Sequence, residues 1–515
     1  MKVGVFCTHY NWETHYETDL EIVQRHLKKG DEVTMFTCDK RSFSCCENIW
    51  SVALHHKKEY QELQESICNK CEIRQKKGIS LLSGKVNILP IIREEEMLVN
   101  YDFDDLFLKS VESLQSLVVD EYYDVGWSML SSLISFSRDP FVDVSRYSVE
   151  LKKLYCDIVR VIKSAEFYIE HHQLDRVYVF NGRFSYTKGI FRAAKKSKIP
   201  VYIHERGSVA YKFTLFKGHL PHDIIEFKNR VDNHWDLCQN AARKDKIGRQ
   251  FYSDKIKGFA GSWTSFTKNF ESGKLPEQWE HEKENIVMYT SSEDEFVSID
   301  KTWLNPYFKD QLTGLEYVCK KFIENNNLKQ RLYIRMHPNS AKLPKTYLET
   351  IQSLAVENRI FIIEPNSTIS SYDLLFNCSK VVTFGSTITM EAIYWGKPVV
   401  LLGKSLYYYL EGIIIPKDVN EINSLCFEKS LPIPDNEDAI KFGFYARTNG
   451  INYKYYQPLN FSKGFFKGVD LFNLTPIHNT FKEQLKKPIK YYLKKYTNKN
   501  YFLDTLEYES FPIER

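Results

Sequence analysis

The chain has 515 residues, 43% of them hydrophobic and 26% charged, with a formal net charge of +4. That length exceeds one ordinary core, so two or three domains are expected, while so small a net charge leaves no electrostatic footprint for nucleic acid. No run of about 18 apolar residues occurs, and the opening MKVGVFCTHYNW lacks a charged segment followed by a sustained apolar one, so the chain reads as cytoplasmic.

Lys2 to Cys7 is an apolar run read as a first strand, followed by a polar loop from Thr8 to Thr18. Asp19 to Lys28 has helical spacing, with Leu20, Val23 and Leu27 on one face, and Glu32 to Thr37 is a second strand. This opening is Rossmann-like but lacks GxGxxG, so no redox dinucleotide is inferred. The loop carries His9, Tyr10, Trp12, His15 and Tyr16 at the carboxyl end of the first strand. There they either line an acceptor cleft or pack a surface loop. Cys38, Cys45, Cys68 and Cys71 fall close together, with Cys46 beside them, in what reads as an insertion over about 38–75. Four thiolates can hold a structural zinc tetrahedrally, and free buried cysteines are the alternative.

Residues from about 100 to 175 read as helical. Arg176 to Phe180 is a strand ending in Asn181-Gly182-Arg183, a helix follows over about Ser185 to Lys196, and Pro200 to His204 is a strand ending in Glu205-Arg206-Gly207. Glu205 is a carboxylate directly after a buried strand. It is placed as a general base, or else as the partner of Arg206 or Arg183 in a salt bridge. The stretch from about 210 to 280 is polar, aromatic and helix-poor in parts, and reads as the end of the first domain plus a hinge.

Asn285 to Tyr289 starts a second strand series, with Ser291, Ser292 and Glu293 in a polar loop behind it. Leu312 to Asn325 is helical. Arg331 to Arg335 is a strand closed by His337-Pro338, where the proline fixes a histidine that can donate to a phosphate. Lys380 to Gly403 is a strand–turn–helix–turn–strand unit whose turn, Gly385-Ser386-Thr387, sits at a helix N-terminus. Hydroxyls and backbone N–H groups make that turn a phosphate site, or Ser386 or Thr387 merely caps the helix. After about 455 the chain becomes a basic aromatic tail. Its segment Phe481 to Tyr501 interleaves lysines with apolar residues, as on anionic lipid or on a solvated surface helix.

Taken together, Asn181-Gly182-Arg183, His204-Glu205-Arg206-Gly207, the Thr290 to Glu295 loop, Arg335-Met336-His337-Pro338 and Gly385-Ser386-Thr387 with Glu391 resemble the bacterial capsule polysaccharide biosynthesis proteins. That group includes capsule Kdo transferases and is similar to bacterial sialyltransferases. The resemblance implies an α/β GT-B fold, with two Rossmann-like domains facing a central cleft. The first spans 1–275 for the acceptor and the second 280–455 for the nucleotide-sugar, and a tail over 456–515 crosses back or touches membrane.

The resemblance also implies roles. Glu205 and His337 would be catalytic. Arg335, Pro338, Gly385, Ser386, Thr387, Glu391, Ser291, Ser292 and Glu293 would bind the donor, and Asn181, Arg183, Arg206 and His15 would face the acceptor. The implied reaction is metal-independent transfer from a CMP-linked, Kdo- or sialic-acid-like donor to a surface polysaccharide or glycolipid. No cofactor is required, and peripheral contact with the inner membrane and capsule assembly proteins is expected. The alternatives are a CDP-linked polyol-phosphate transferase of the same fold and a non-catalytic scaffold of capsule assembly.

Overall fold

The computed structural model describes residues 1–40, 42–258, 271, 273–473 and 506–512. Its strands are, in order, β1 (Lys2–Cys7), β2 (Glu32–Thr37), β3 (Asn87–Pro90), β4 (Arg176–Phe180), β5 (Val201–Arg206) and β6 (Lys212–Lys217). They continue with β7 (Glu284–Tyr289), β8 (Gln330–Arg335), β9 (Ile360–Ile363), β10 (Lys380–Thr383) and β11 (Val399–Leu401). The last are β12 (Ile451–Asn452), β13 (Tyr456–Pro458) and β14 (Gly464–Phe466).

The chain divides into two compact units. The first comprises Met1–Ser137, Phe141–Pro221 and Thr448–Arg515, the second Arg138–Pro140 and His222–Arg447. Within the first unit a seven-stranded sheet runs β12-β6-β5-β4-β1-β2-β3, and β3, β2, β1, β4 and β5 are mutually parallel. The second unit holds a five-stranded sheet, β11-β10-β7-β8-β9, parallel throughout. Numbered within its own unit, each parallel set has the order 3-2-1-4-5, the order of a Rossmann half. The expected α/β class with two Rossmann-like domains is therefore what the chain forms.

Both faces of the second sheet are covered, which is why its strands read as nearly continuous apolar runs. Val287, Tyr289, Tyr333, Val381 and Val399 pack in one cluster with Ile388 and Ile393 of the helix Ile388–Tyr394. The alternate residues Ile286, Met288, Leu332, Ile334, Val382 and Val400 pack in another, with Leu315, Val318 and Phe322 of the helix Gln311–Glu324. In the first unit the helix His15–Lys29 lays Leu20, Ile22 and Val23 in a cluster with Val3, Val5, Val33 and Met35.

Residues 210–258 are not the helix-poor hinge the sequence suggested. They contain β6, antiparallel to β5, and the helices Ile224–Leu237 and Ala241–Ile256. Both helices present few apolar residues to the core, among them Ile224, Phe227 and Val231 of the first and Ile247, Phe251 and Tyr252 of the second, so their periodicity is faint. They belong to the second unit, and the amino-terminal part of the first unit, interrupted only at Arg138–Pro140, ends at Pro221.

From Thr448 the chain rejoins the first unit. β12 pairs antiparallel with β6, Ile451 opposite Phe213, and the next residues close over the helix His15–Lys29. Glu21, fully buried there, accepts the backbone N–H groups of Lys454, Tyr455 and Tyr456 and pairs with Arg25 at 2.8 Å. The basic segment Phe481 to Tyr501 lies outside the described residues. Among the described residues, no helix is long and apolar enough to cross a membrane.

Candidate functional site

In an open 3-2-1-4-5 sheet, ligands bind beyond the carboxyl ends of the strands, where the strand order reverses. In the second unit that point lies between β7 and β10. The turns leaving β7, β8 and β10 carry Thr290 to Glu293, His337 and Gly385 to Thr387, so the topology brings these expected residues to one sheet edge.

Hydrogen bonds fix the edge. His337 donates its backbone N–H to Thr290 Oγ1 at 2.8 Å, tying the ends of β7 and β8. Its ring Nδ1 accepts the N–H of Asn339 at 3.2 Å, which leaves the proton of a neutral ring on Nε2. The ring is neutral at pH 7, because burial pulls its pKa down to about 4; Asp294 opposes the shift and Arg335 adds to it. Ser291 donates its N–H and its hydroxyl to Gln311 Oε1, and Gln311 in turn gives its N–H to Glu293 Oε1 at 2.8 Å. Glu293 Oε2 is buried without a partner, and burial, with Asp310 and Asp294 nearby, pushes the carboxyl up to about 7.

The Gly-Ser-Thr turn differs from its expected form in one respect. Thr383 Oγ1 accepts the N–H groups of Gly385 and Ser386 at 3.2 and 3.1 Å, so those backbone donors are already used. What the turn offers is side chains: Ser386 and Thr387 are half-buried, and Thr387 makes no capping bond with its hydroxyl. Gly385 is needed here. Its φ is +122°, and a Cβ would come within 2.7 Å of the Lys404 carbonyl. Tyr407, buried beneath, donates its hydroxyl to the carbonyls of Gly385 and Ser386.

Two expected donor ligands are turned away. Arg335 lies two residues after Tyr333, on the same sheet face, and its guanidinium donates to the carbonyls of Glu364 and Ser367 beyond β9. Glu391, on the helix Ile388–Tyr394, is buried in an ion pair with Lys255 at 2.5 Å. Pro338 begins the short turn after His337 and contributes rigidity. The sequence reading missed Gln311, Tyr407 and Lys404. Gln311 and Tyr407 lie outside the strand-end turns from which candidates were drawn, and Lys404 follows the short strand β11, whose end carries no Gly-Ser or His-Pro signal.

In the first unit the corresponding point lies between β1 and β4. His15, in the first turn of its helix, lies against Phe180 with ring centroids 3.8 Å apart, and burial with Arg206, His204 and His9 nearby keeps it neutral. His204 Nε2 meets Asp19 Oδ1 at 2.7 Å, both buried. Asn181, at φ +56°, donates its amide to Glu205 Oε1 at 2.6 Å, and Glu205 Oε2 accepts the N–H of Arg206 at 3.2 Å. The expected alternative, a salt bridge from Glu205 to Arg183 or Arg206, is not what holds it: Arg183 reaches Ser135 and stacks on Phe184, while Arg206 is exposed. Glu205 is thus a half-buried carboxylate held by an amide. Nearby, Glu47 accepts Ser185 N–H at 3.1 Å and lies 3.5 Å from His9, and Trp12 packs among Phe136, Phe180 and Phe184.

Among the described residues, no three His, Cys, Asp or Glu side chains gather to hold a metal ion. The chain enters the helix Glu47–His56 with the Cys45 N–H bound to Asp157, and it is Cys46 that faces the other thiols. Cys38, Cys46, Cys68 and Cys71 line a cavity of about 290 Å³ with Tyr10 and Asn48. Burial pushes the Cys46 thiol up to about 11 and Cys71 up to about 12, so both stay protonated.

Comparison with known proteins bears on the second unit. Residues 287–423 match the family model described as Capsule polysaccharide biosynthesis protein. The chain resembles that family. Its matched segment holds Ser291, Ser292, Glu293, His337, Gly385, Ser386 and Thr387. A search of curated proteins found no match. Among solved structures, the chain is similar to a KpsC beta Kdo 2,4 transferase of Thermosulfurimonas dismutans at 12% identity, over 53% of this chain and 79% of that one, with a TM-score of 0.32. It is also similar to MnaA of S. aureus in a UDP co-structure (12% identity, 85% and 93% covered, TM-score 0.24). A third is the glycosyltransferase SsfS6 of Streptomyces sp. SF2575 with thymidine diphosphate (10% identity, 86% and 95% covered, TM-score 0.23). Likenesses this weak place no ligand and no catalytic residue.

Proposed function

We propose that the protein is a glycosyltransferase of capsule polysaccharide biosynthesis, taking its sugar from a CMP-linked, Kdo- or sialic-acid-like donor. One observation carries the reading: neutral His337, with its proton on Nε2, and the hydroxyls of Ser386 and Thr387 stand at the ends of β8 and β10, the two strands that flank β7, inside the segment that matches the capsule family. Such neutral donors suit a phosphate, and they strengthen as charge builds on the leaving nucleotide.

In the proposed reaction an acceptor hydroxyl attacks the anomeric carbon, its proton passes to Glu205, and the bond from that carbon to the phosphate oxygen breaks. His337, Ser386 and Thr387 meet the charge left on the nucleotide, so the reaction proceeds without a metal ion. To the acceptor side, with Glu205, we assign His15, Asn181, Arg183 and Arg206, and the acceptor is a surface polysaccharide or its lipid-linked precursor.

The test is a thermal-shift screen against CMP, CDP, UDP, GDP and ADP in EDTA-containing buffer, repeated with His337→Ala. We expect CMP to raise the melting temperature of the wild type and to lose that effect with the variant, because a ligand that binds only the native state stabilises it. A shift with CDP alone would favour polyol-phosphate transfer. No shift with any nucleotide at millimolar concentration would overturn the transferase and favour a scaffold.

A further inference from the structure

We infer that Lys404 supplies the positive charge of the nucleotide-phosphate site in the second unit, an inference that rests on the nucleotide reading above. The need for such a charge follows from what the site otherwise holds. The hydroxyls of Ser386 and Thr387 are uncharged, and the ring of His337 is neutral at pH 7. Arg335, the cation expected from the sequence, is committed to the carbonyls of Glu364 and Ser367. Neutral dipoles alone hold a phosphate more weakly than a set that includes one charged donor, since charge-assisted hydrogen bonds are roughly twice as strong.

Lys404 stands where that charge is wanted. It follows β11, the strand that pairs with β10 on the side away from β7. Its carbonyl lies 2.7 Å from where a Cβ on Gly385 would sit, so its backbone abuts the Gly-Ser-Thr turn. The side chain is half-buried, with its ammonium 3.6 Å from the centroid of the Tyr408 ring. Burial alone lowers its pKa, and no carboxylate among the described residues acts on it. By contrast, Lys380 and Lys397 of the same βαβ unit are both spent on backbone carbonyls. A half-buried ammonium resting on an aromatic face is attracted to it but not neutralised. An anion brought to the neighbouring turn would complete it, and the flexible four-carbon stem of lysine allows the ammonium to swing onto a phosphate oxygen.

Isothermal titration of the full chain with CMP and with cytidine tests this. Lys404→Ala and Lys404→Gln are each expected to weaken CMP binding about tenfold or more and to leave cytidine binding unchanged, while Lys404→Arg keeps most of the affinity. The glutamine variant preserves the stem over Tyr408, so a loss shared by both neutral variants reports charge and not packing. If Lys404→Gln binds CMP as the wild type does while His337→Ala has lost it, the lysine assignment is overturned and the nucleotide reading stands. A wild type that binds none of CMP, CDP and UDP overturns both.

Discussion

Glu293 and His337 stand at neighbouring strand ends and titrate with opposite consequences for stability. The folded protein holds the Glu293 carboxyl up at about 7, above its ordinary 4.5, so between those values the folded state binds more protons than the unfolded one. Stability is therefore lost through this group as pH rises from 4.5 to 7, and the cost persists above. His337 works the other way. Its folded pKa of about 4 lies below the ordinary 6.5, so its contribution is full above 6.5 and is lost as pH falls toward 4. Glu293→Gln keeps an oxygen for the Gln311 N–H and removes the titration. We expect urea unfolding at pH 8 to show the variant more stable than the wild type by at most about 3 kcal/mol, with the gain absent at pH 4.5. An equal gain at both pH values would mean that the buried Oε2 is not ionising as described. A residue that destabilises its own fold at working pH is the kind that function retains.

At the scale of elements, the Gly385-Ser386-Thr387 turn is braced twice, by Thr383 Oγ1 on its N–H groups and by Tyr407 on its carbonyls. Tyr407→Phe removes only the second brace. We expect a loss of about 1 kcal/mol in denaturant unfolding, because the half-buried Gly385 carbonyl loses its hydroxyl donor while that of Ser386 keeps Thr389, together with weaker CMP binding. A stability loss with unchanged affinity would show that Thr383 alone sets the turn. The elements themselves were legible to very different degrees. β1, β2, β4, β7, β8 and β10 were readable because parallel strands buried on both faces must be apolar along their whole length. β6, β12, β13 and β14 were not, because their pairing is antiparallel and β12, β13 and β14 have only two or three residues each. The same limit explains the site. Glu205, His337 and Ser386 could be placed from strand ends alone, but strand parity sends Arg335 to the wrong face and helix register sends Glu391 to Lys255.

At the scale of the molecule, the first unit is built from both ends of the chain and the second is inserted between them. The returning segment is integral to the first unit, since Glu21 is buried under it and Phe511 packs in the same core as Val3 and Val5. Deleting 448–515 should leave Glu21 short of its backbone donors and strip β6 of its outer neighbour, β12. We expect calorimetry of the truncated chain to lose the transition of the first unit while the second, with its nucleotide affinity, survives. A truncated chain that keeps both transitions would make the returning segment dispensable. The insertion also sets an order in time. A ribosome delivers β1 to β6 early, yet their sheet lacks its last strand until residues 451–452 emerge, a wait of roughly 10–50 s at about 5–20 residues per second. The second unit, nearly continuous in sequence, is complete before then. During synthesis the amino-terminal half is thus the last to finish, and β6, its antiparallel edge still open, is the place where a nascent chain would need guarding against association with its neighbours.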